Sequence, residues 1–200
     1  MRTDINTYDF SYTGFSLRPN EMRKVAEFEV NGLALDLAED LGGGKESTGK
    51  KFYNEISKRL EMLTPRQKAI LVEGDIITRR QIAFLSMCKR HHFIRDFVVE
   101  VLREKYLVYD YQLTAGEYTS FFRRKVELHP DMYKLKESSI KKIQQVTLKI
   151  LEQAGLIDDI KKGNIEPQIL DDKVVEAITE DDPELLKIFL MSDVDIEEMT

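Results

Sequence analysis

Three places in this chain bring together residue types that suggest chemistry. The first is Gly44-Lys45-Glu46-Ser47-Thr48-Gly49-Lys50-Lys51, one residue short of the phosphate-binding loop G-x-x-x-x-G-K-[ST]. In that loop backbone N–H groups cradle phosphates and the last hydroxyl holds magnesium. Here Lys51 stands where the hydroxyl is needed, and the preceding segment reads as helix rather than strand. A basic interhelical loop is the better reading. The second place is Cys88, His91 and His92. Helical spacing puts Cys88 and His92 on one face, but zinc wants three or four ligands. The other histidine, His129, is remote in sequence, so Cys88 reads as a small buried hydrophobe and no metal is expected. No G-x-S-x-G nucleophile motif occurs, and no acidic pair comes with a basic or metal partner. The expected protein is therefore not an enzyme, takes no cofactor and has no small-molecule substrate.

The third place is the stretch from Ser138 to Ile157. Ile140, Ile143, Val146 or Thr147, Ile150 or Leu151, and Ala154 recur at the spacing of one helix face. Lys141, Lys142, Gln145 and Lys149 fall on the other. Ser138 or Ser139 is the expected N-cap, and Gly155 the expected left-handed exit. Leu156-Ile157, the polar turn Lys161-Lys162-Gly163-Asn164 and Ile165 to Leu170 suggest a two-stranded ribbon. A basic-faced helix followed by a lysine-tipped hairpin is the outline of a winged helix, whose helix enters a DNA groove. An ordinary core helix with a solvated lysine face fits the same pattern.

The elements that must position these residues are nearly all helical. Tyr8, Phe10, Tyr12 and Phe15 mark an extended start lying on the body through its aromatics. A first helix is expected over 21–41, broken by Gly32 and ended by Gly42-Gly43-Gly44. A second, about 50–63, turns Phe52, Ile56, Leu60 and Leu63 inward and exposes Lys50, Lys51, Lys58 and Arg59. Thr64-Pro65 starts a third. Thr78 is the expected cap of a fourth, followed by a break near residues 90–92 and an apolar core helix over 93–106. Thr114 and Glu117 form a capping box for the next, which His129-Pro130 ends. The expected fold is all-α, mainly helical, with a C-terminal winged-helix-like unit containing a short β-hairpin. The expected division is an N-terminal helical region with the basic helix at 1–77, central core helices at 78–130, the winged-helix-like unit at 131–170 and acidic C-terminal helices at 171–200.

Charge follows this order. Residues 45–149 hold 22 Lys and Arg against 13 Asp and Glu, whereas residues 150–200 hold 4 Lys against 15 Asp and Glu. The net charge of −6 conceals a basic middle suited to a polyanion and an acidic tail that a polyanion would repel. That tail either restrains binding by the basic middle or docks on it within the molecule. The lone cysteine excludes an internal disulfide and fits a reducing cytoplasm. No run of about eighteen apolar residues suggests a membrane span, and the first ten residues lack a signal peptide's apolar core.

One family unites several of these blocks. The run Phe97-Val98-Val99-Glu100-Val101-Leu102-Arg103-Glu104-Lys105-Tyr106-Leu107, then Leu113-Thr114, Phe121-Phe122, Ser138 to Ile143, and Ile150 to Leu156 resembles the BrxA family, the small subunits of BREX bacteriophage-exclusion systems. The likeness runs from about Tyr12 to Leu170 and takes in Lys58-Arg59-Leu60; it departs at the polyglycine of 42–44 and at Ser139, where the family often has threonine. The resemblance implies an all-helical fold with helix-turn-helix and winged-helix character. It also implies a non-enzymatic, double-stranded DNA-binding role beside other BREX proteins. Lys50, Lys51, Lys58 and Arg59 are then candidates for a backbone-contacting patch, Ser138, Ser139, Lys141, Lys142, Gln145 and Lys149 for a recognition helix, and Lys161 and Lys162 for a wing. The alternatives are an adaptor for protein partners within the defence complex, and an RNA-binding protein like the antitermination factor NusB.

Overall fold

The computed structural model describes residues 7–199, and the chain falls into two compact units. One takes Leu17–Arg90, Ile169–Leu186 and the residues from Ile196 on; the other takes the N-terminal segment through Ser16, His91–Gln168 and Lys187–Asp195.

The first unit is built on α1 (Pro19–Asn31), α2 (Glu46–Leu60), α3 (Pro65–Glu73) and α4 (Ile76–Arg90). Pro19 opens α1 where a missing N–H costs nothing. Gly32, at φ 66°, closes it by donating its N–H to the Phe28 carbonyl. The break expected at Gly32 is therefore present, and the second part is only a π-helical turn, Leu37–Leu41, rather than a continuation of the helix. The Asp36 carboxylate caps that turn by accepting from the N–H groups of Ala38 and Glu39. The turn lies against α2 at Gly49, where a Cβ would come 1.8 Å from the Leu37 carbonyl oxygen. The second glycine of the apparent phosphate loop is therefore a packing residue inside a helix. Thr64 and Gln67 exchange both bonds of a capping box at α3. Thr78 is not the cap of α4; its N–H donates to the Asp75 carboxylate at 2.8 Å. The later α9 (Asp172–Thr179) adds Val174, Ala177 and Ile178 to this core, and Gln67 Nε2 donates to the Ala177 carbonyl.

In the second unit, α5 (His92–Phe97), a π-helical stretch Val98–Arg103 and α6 (Glu104–Leu107) run on from one another, as the apolar pattern over 93–106 predicts. They pack with α7 (Ala115–Leu128), the 3-10 turn Pro130–Lys134 and α8 (Glu137–Ala154). Tyr8 and Phe10 set their rings on Phe93, which meets Phe121 in turn. The aromatic start of the chain is thus anchored through its rings as expected, but it is not extended throughout, since Ser11–Gly14 forms a 3-10 turn; its first six residues lie outside the described ones. The Tyr12 hydroxyl pairs with Thr147 Oγ1 at 2.8 Å and ties the segment to α8. The last helix among the described residues is α10 (Asp193–Glu198), of which residues up to Asp195 belong to this unit. No helix among the described residues is long and apolar enough to cross a membrane.

The all-helical reading holds, but the winged-helix hairpin does not form. Among the described residues there is no β-strand, only the isolated antiparallel bridges Gln112↔Asn164 and Ile157↔Ile165. The reason lies partly in the segment and partly in a distant neighbour. Helix α8 and Gly155 leave only residues 156–158 as a partner, Pro167 removes the donor that would extend the ladder, and the bonds of 163–166 are split between two neighbours. Ile165 donates to the Tyr111 carbonyl, while Glu166 donates to that of Leu156.

Candidate nucleic-acid interface

Helix α8 sorts its residues as its spacing dictates. Ile143, Thr147, Ile150, Leu151 and Ala154 are buried, and Ser138, Lys141, Lys142, Gln145 and Lys149 are exposed. Steps of three and four residues align Ser138, Lys142, Gln145 and Lys149 in one stripe, with Lys141 beside it. Ser139 is half-buried. Neither serine caps the helix. Lys136 is the N-cap residue and makes no side-chain cap bond, so Ser138 and Ser139 stand in the first turn. Lys141 pairs with Glu137 at 2.7 Å and Lys149 with Glu152. Lys142 makes no ion pair among the described residues. Two exposed lysines that the sequence reading passed over, Lys134 and Lys136, precede the helix and are likewise without an ion pair there. Their signal was available: two lysines at a spacing of two, leading into a basic-faced helix.

Lys161 and Lys162 are exposed on the turn that replaces the hairpin tip. Asp159 Oδ1 accepts from the N–H groups of both, and Asp158 Oδ1 accepts from that of Asn164. The Lys162 N–H is the main cause holding the Asp159 carboxyl below its ordinary range. For Asp158, burial opposes ionisation, but the bonds from Asp159 and Asn164 outweigh it and lower its value too. The turn therefore carries two lysines and two ionised aspartates, with no net charge.

The other expected patch lies on α2, in the other unit. Lys51 and Lys58, seven residues apart, share a face and are exposed without an ion pair among the described residues. Lys50 is exposed and paired with Glu46 at 2.7 Å. Arg59 does not join them. It is 1% exposed, its Nε lies 3.2 Å from Glu55 Oε1, and its Nη1 lies 3.4 Å from the Leu17 carbonyl oxygen. Burial lowers its pKa to about 10, against the pull of Glu55. The expected exposure of Arg59 is corrected: position 59 continues the inward row of Phe52, Ile56 and Leu60.

Cys88 is buried on α4, and the buried His91 sets Nδ1 3.3 Å from the Asp9 carbonyl oxygen. Among the described residues no three His, Cys, Asp or Glu side chains are grouped to hold a metal ion.

An all-helical protein of two units, one bearing a lysine-faced helix, is the class that this fold and surface define. The chain belongs to the BrxA family, whose model matches residues 6–182. It is 29% identical over 169 residues to the BREX protein BrxA of Bacillus cereus (strain H3081.97), covering 79% of this chain and 83% of that protein. It is 25% identical over 126 residues to the BREX protein BrxA of Escherichia coli O9:H4 (strain HS), covering 63% of this chain; the match spans 59% of the E. coli protein's length. The crystal structure of an uncharacterized protein from Magnetospirillum magneticum has the same fold, with a TM-score of 0.77 at 19% identity over 92% of this chain and 98% of the other.

Proposed function

We propose that the chain is a non-enzymatic, duplex-DNA-binding component of a BREX-type phage-defence system, working beside other BREX proteins. One observation supports this reading above the rest. The exposed face of α8 and its approach gather Lys134, Lys136, Lys141, Lys142 and Lys149, with Ser138 and Gln145 among them, on a helix whose other face is core. Lysines on a rigid helix neutralise phosphates and release counterions, and an interleaved glutamine or serine can reach base edges. The excess of lysine over base-reading groups favours binding with little sequence preference. Lys51 and Lys58 form a second basic patch on the other unit.

The test is an equilibrium titration of full-length protein against duplexes of unrelated sequence at several salt concentrations. Salt-sensitive binding of similar strength to all of them supports the proposal. Binding that ignores salt contradicts it. The adaptor reading draws on a different observation: Phe28, Val30 and Leu33, at and just after the end of α1, are each exposed, and exposed apolar side chains recur where protein partners dock.

A further inference from the structure

The end of α6 holds a conformational anomaly. Val108 caps the helix, and the next residue, Tyr109, lies at φ 64°. This is the left-handed exit position that glycine ordinarily occupies. A bulky side chain is an outlier there. The exit is nevertheless well formed: the Tyr109 N–H donates to the Tyr106 carbonyl at 3.1 Å and the Asp110 N–H to the Lys105 carbonyl at 2.9 Å. The tyrosine ring returns nothing to the core, because the residue is 81% exposed. A glycine would serve the fold better, so the side chain answers to something outside it.

The surroundings indicate what that is. Tyr111 is also exposed, and its ring lies 6.4 Å from that of Tyr109 and 5.4 Å from that of Tyr106. The lysine turn is fastened directly beside these rings. Ile165 donates to the Tyr111 carbonyl at 2.7 Å, Leu113 to the Gly163 carbonyl at 2.8 Å, and Gln112 Nε2 reaches the Lys162 carbonyl at 3.4 Å. The nearby carboxylates are already engaged: Asp110 by Lys105 at 2.5 Å, and Asp158 and Asp159 by N–H groups of the turn and by the exposed Lys162 ammonium at 3.9 and 3.5 Å, a weak surface pairing that a phosphate can displace.

We propose that Tyr109 and Tyr111 form a stacking platform for unpaired nucleobases, with Lys161 and Lys162 meeting the phosphates of the same strand. Aromatic faces beside flexible cations suit single-stranded nucleic acid, which every base can join through its π-face. The ligand differs from the duplex assigned to α8, and the platform stands or falls independently of that assignment.

The test uses full-length protein and fluorescently labelled oligo(dT) and oligo(U), with duplex DNA in parallel. Tyr109→Gly is the key variant, since it removes the ring and relieves the backbone. It should weaken oligonucleotide binding about tenfold, keep or raise the melting temperature, and leave duplex affinity unchanged; Tyr111→Ala should weaken the same ligand. Binding of either oligonucleotide supports the platform, and comparing the two tells a DNA strand from an RNA strand. The proposal is overturned if neither oligonucleotide binds at low salt, if Tyr109→Gly binds as tightly as the parent, or if that variant melts lower, which would make Tyr109 structural. Loss of duplex binding in Lys141→Glu/Lys149→Glu, with oligonucleotide binding kept, reads the α8 proposal separately.

Discussion

Lys58 and Arg59 are neighbours in sequence with opposite surroundings, and the difference is measurable. Lys58 is exposed, and surface substitutions of this kind usually change stability by about 0.5 kcal/mol or less. Arg59 is buried against Glu55, and breaking a buried pair by removing one partner costs about 3–5 kcal/mol. Thermal melts should therefore leave Lys58→Glu near the parent and drop Arg59→Ala sharply; equal melting temperatures would refute the burial. Gly49→Ala tests another close contact. Its new methyl meets the Leu37 backbone, so a loss of about 1–3 kcal/mol in denaturant unfolding is expected. Arg59 was legible in principle: three and four residues beyond Ile56 lie Arg59 and Leu60, both on the inward row. Residue type overrode spacing, because an arginine beside lysines looks like surface. Tyr109 was not legible. Nothing in a Val-Tyr-Asp-Tyr string announces a positive φ, which follows from where α6 happens to stop.

At the scale of elements, apolar spacing carried most of the information. The inward set of α8 from Ile143 on, the left-handed exit at Gly155, the helix start at Thr64-Pro65 and the capping box at Thr114 appear where the pattern puts them; that Thr64 also forms a capping box with Gln67 is added by the structure. The caps of α4 and α8 do not. At α4 the nearby Asp75 takes the role expected of Thr78, and α8 does without a side-chain cap. The ribbon after α8 failed for a reason that local pattern cannot hold: half of its hydrogen bonds go to residues 111–113, about fifty positions earlier in the chain. What stands there is a turn held by two ionised carboxylates. Both have folded-state values below the ordinary 3.8, so their contribution is present above that value and is lost as pH falls through the lowered ones. Acid titration by NMR should show the amides of Lys161, Lys162 and Asn164 moving together below about pH 4. Asp158→Ala should show the loosened turn already at neutral pH. Amide signals that stay fixed through the acid range would show that the carboxylates do not hold the turn.

At the scale of the whole molecule, the segregated charge was plain in the sequence, but its resolution was not. The acidic tail up to Leu186 belongs to the unit of α1–α4 and is tied there: Arg66 pairs with Glu176 and Glu180, and Lys89 with Asp181 at 2.6 Å. Val174, Ala177 and Ile178 are buried beneath these pairs. Truncation after Leu170 should accordingly lower stability or solubility rather than raise DNA affinity. A truncated chain that melts normally and binds DNA more tightly would restore the view of the tail as a restraint. Exposed basic charge remains on α8 and its approach, as well as on α2 at Lys51 and Lys58, and it is at α8 that the central claim is tested most directly. Fluorescence anisotropy of a labelled duplex against full-length protein, across salt concentrations, gives the slope of log affinity on log salt. If about five phosphates are neutralised, that slope is near −4 to −5. Lys141→Glu/Lys142→Glu/Lys149→Glu should melt like the parent, bind weakly and show a flatter slope. A triple variant with unchanged affinity and slope would contradict the account and move duplex binding away from α8.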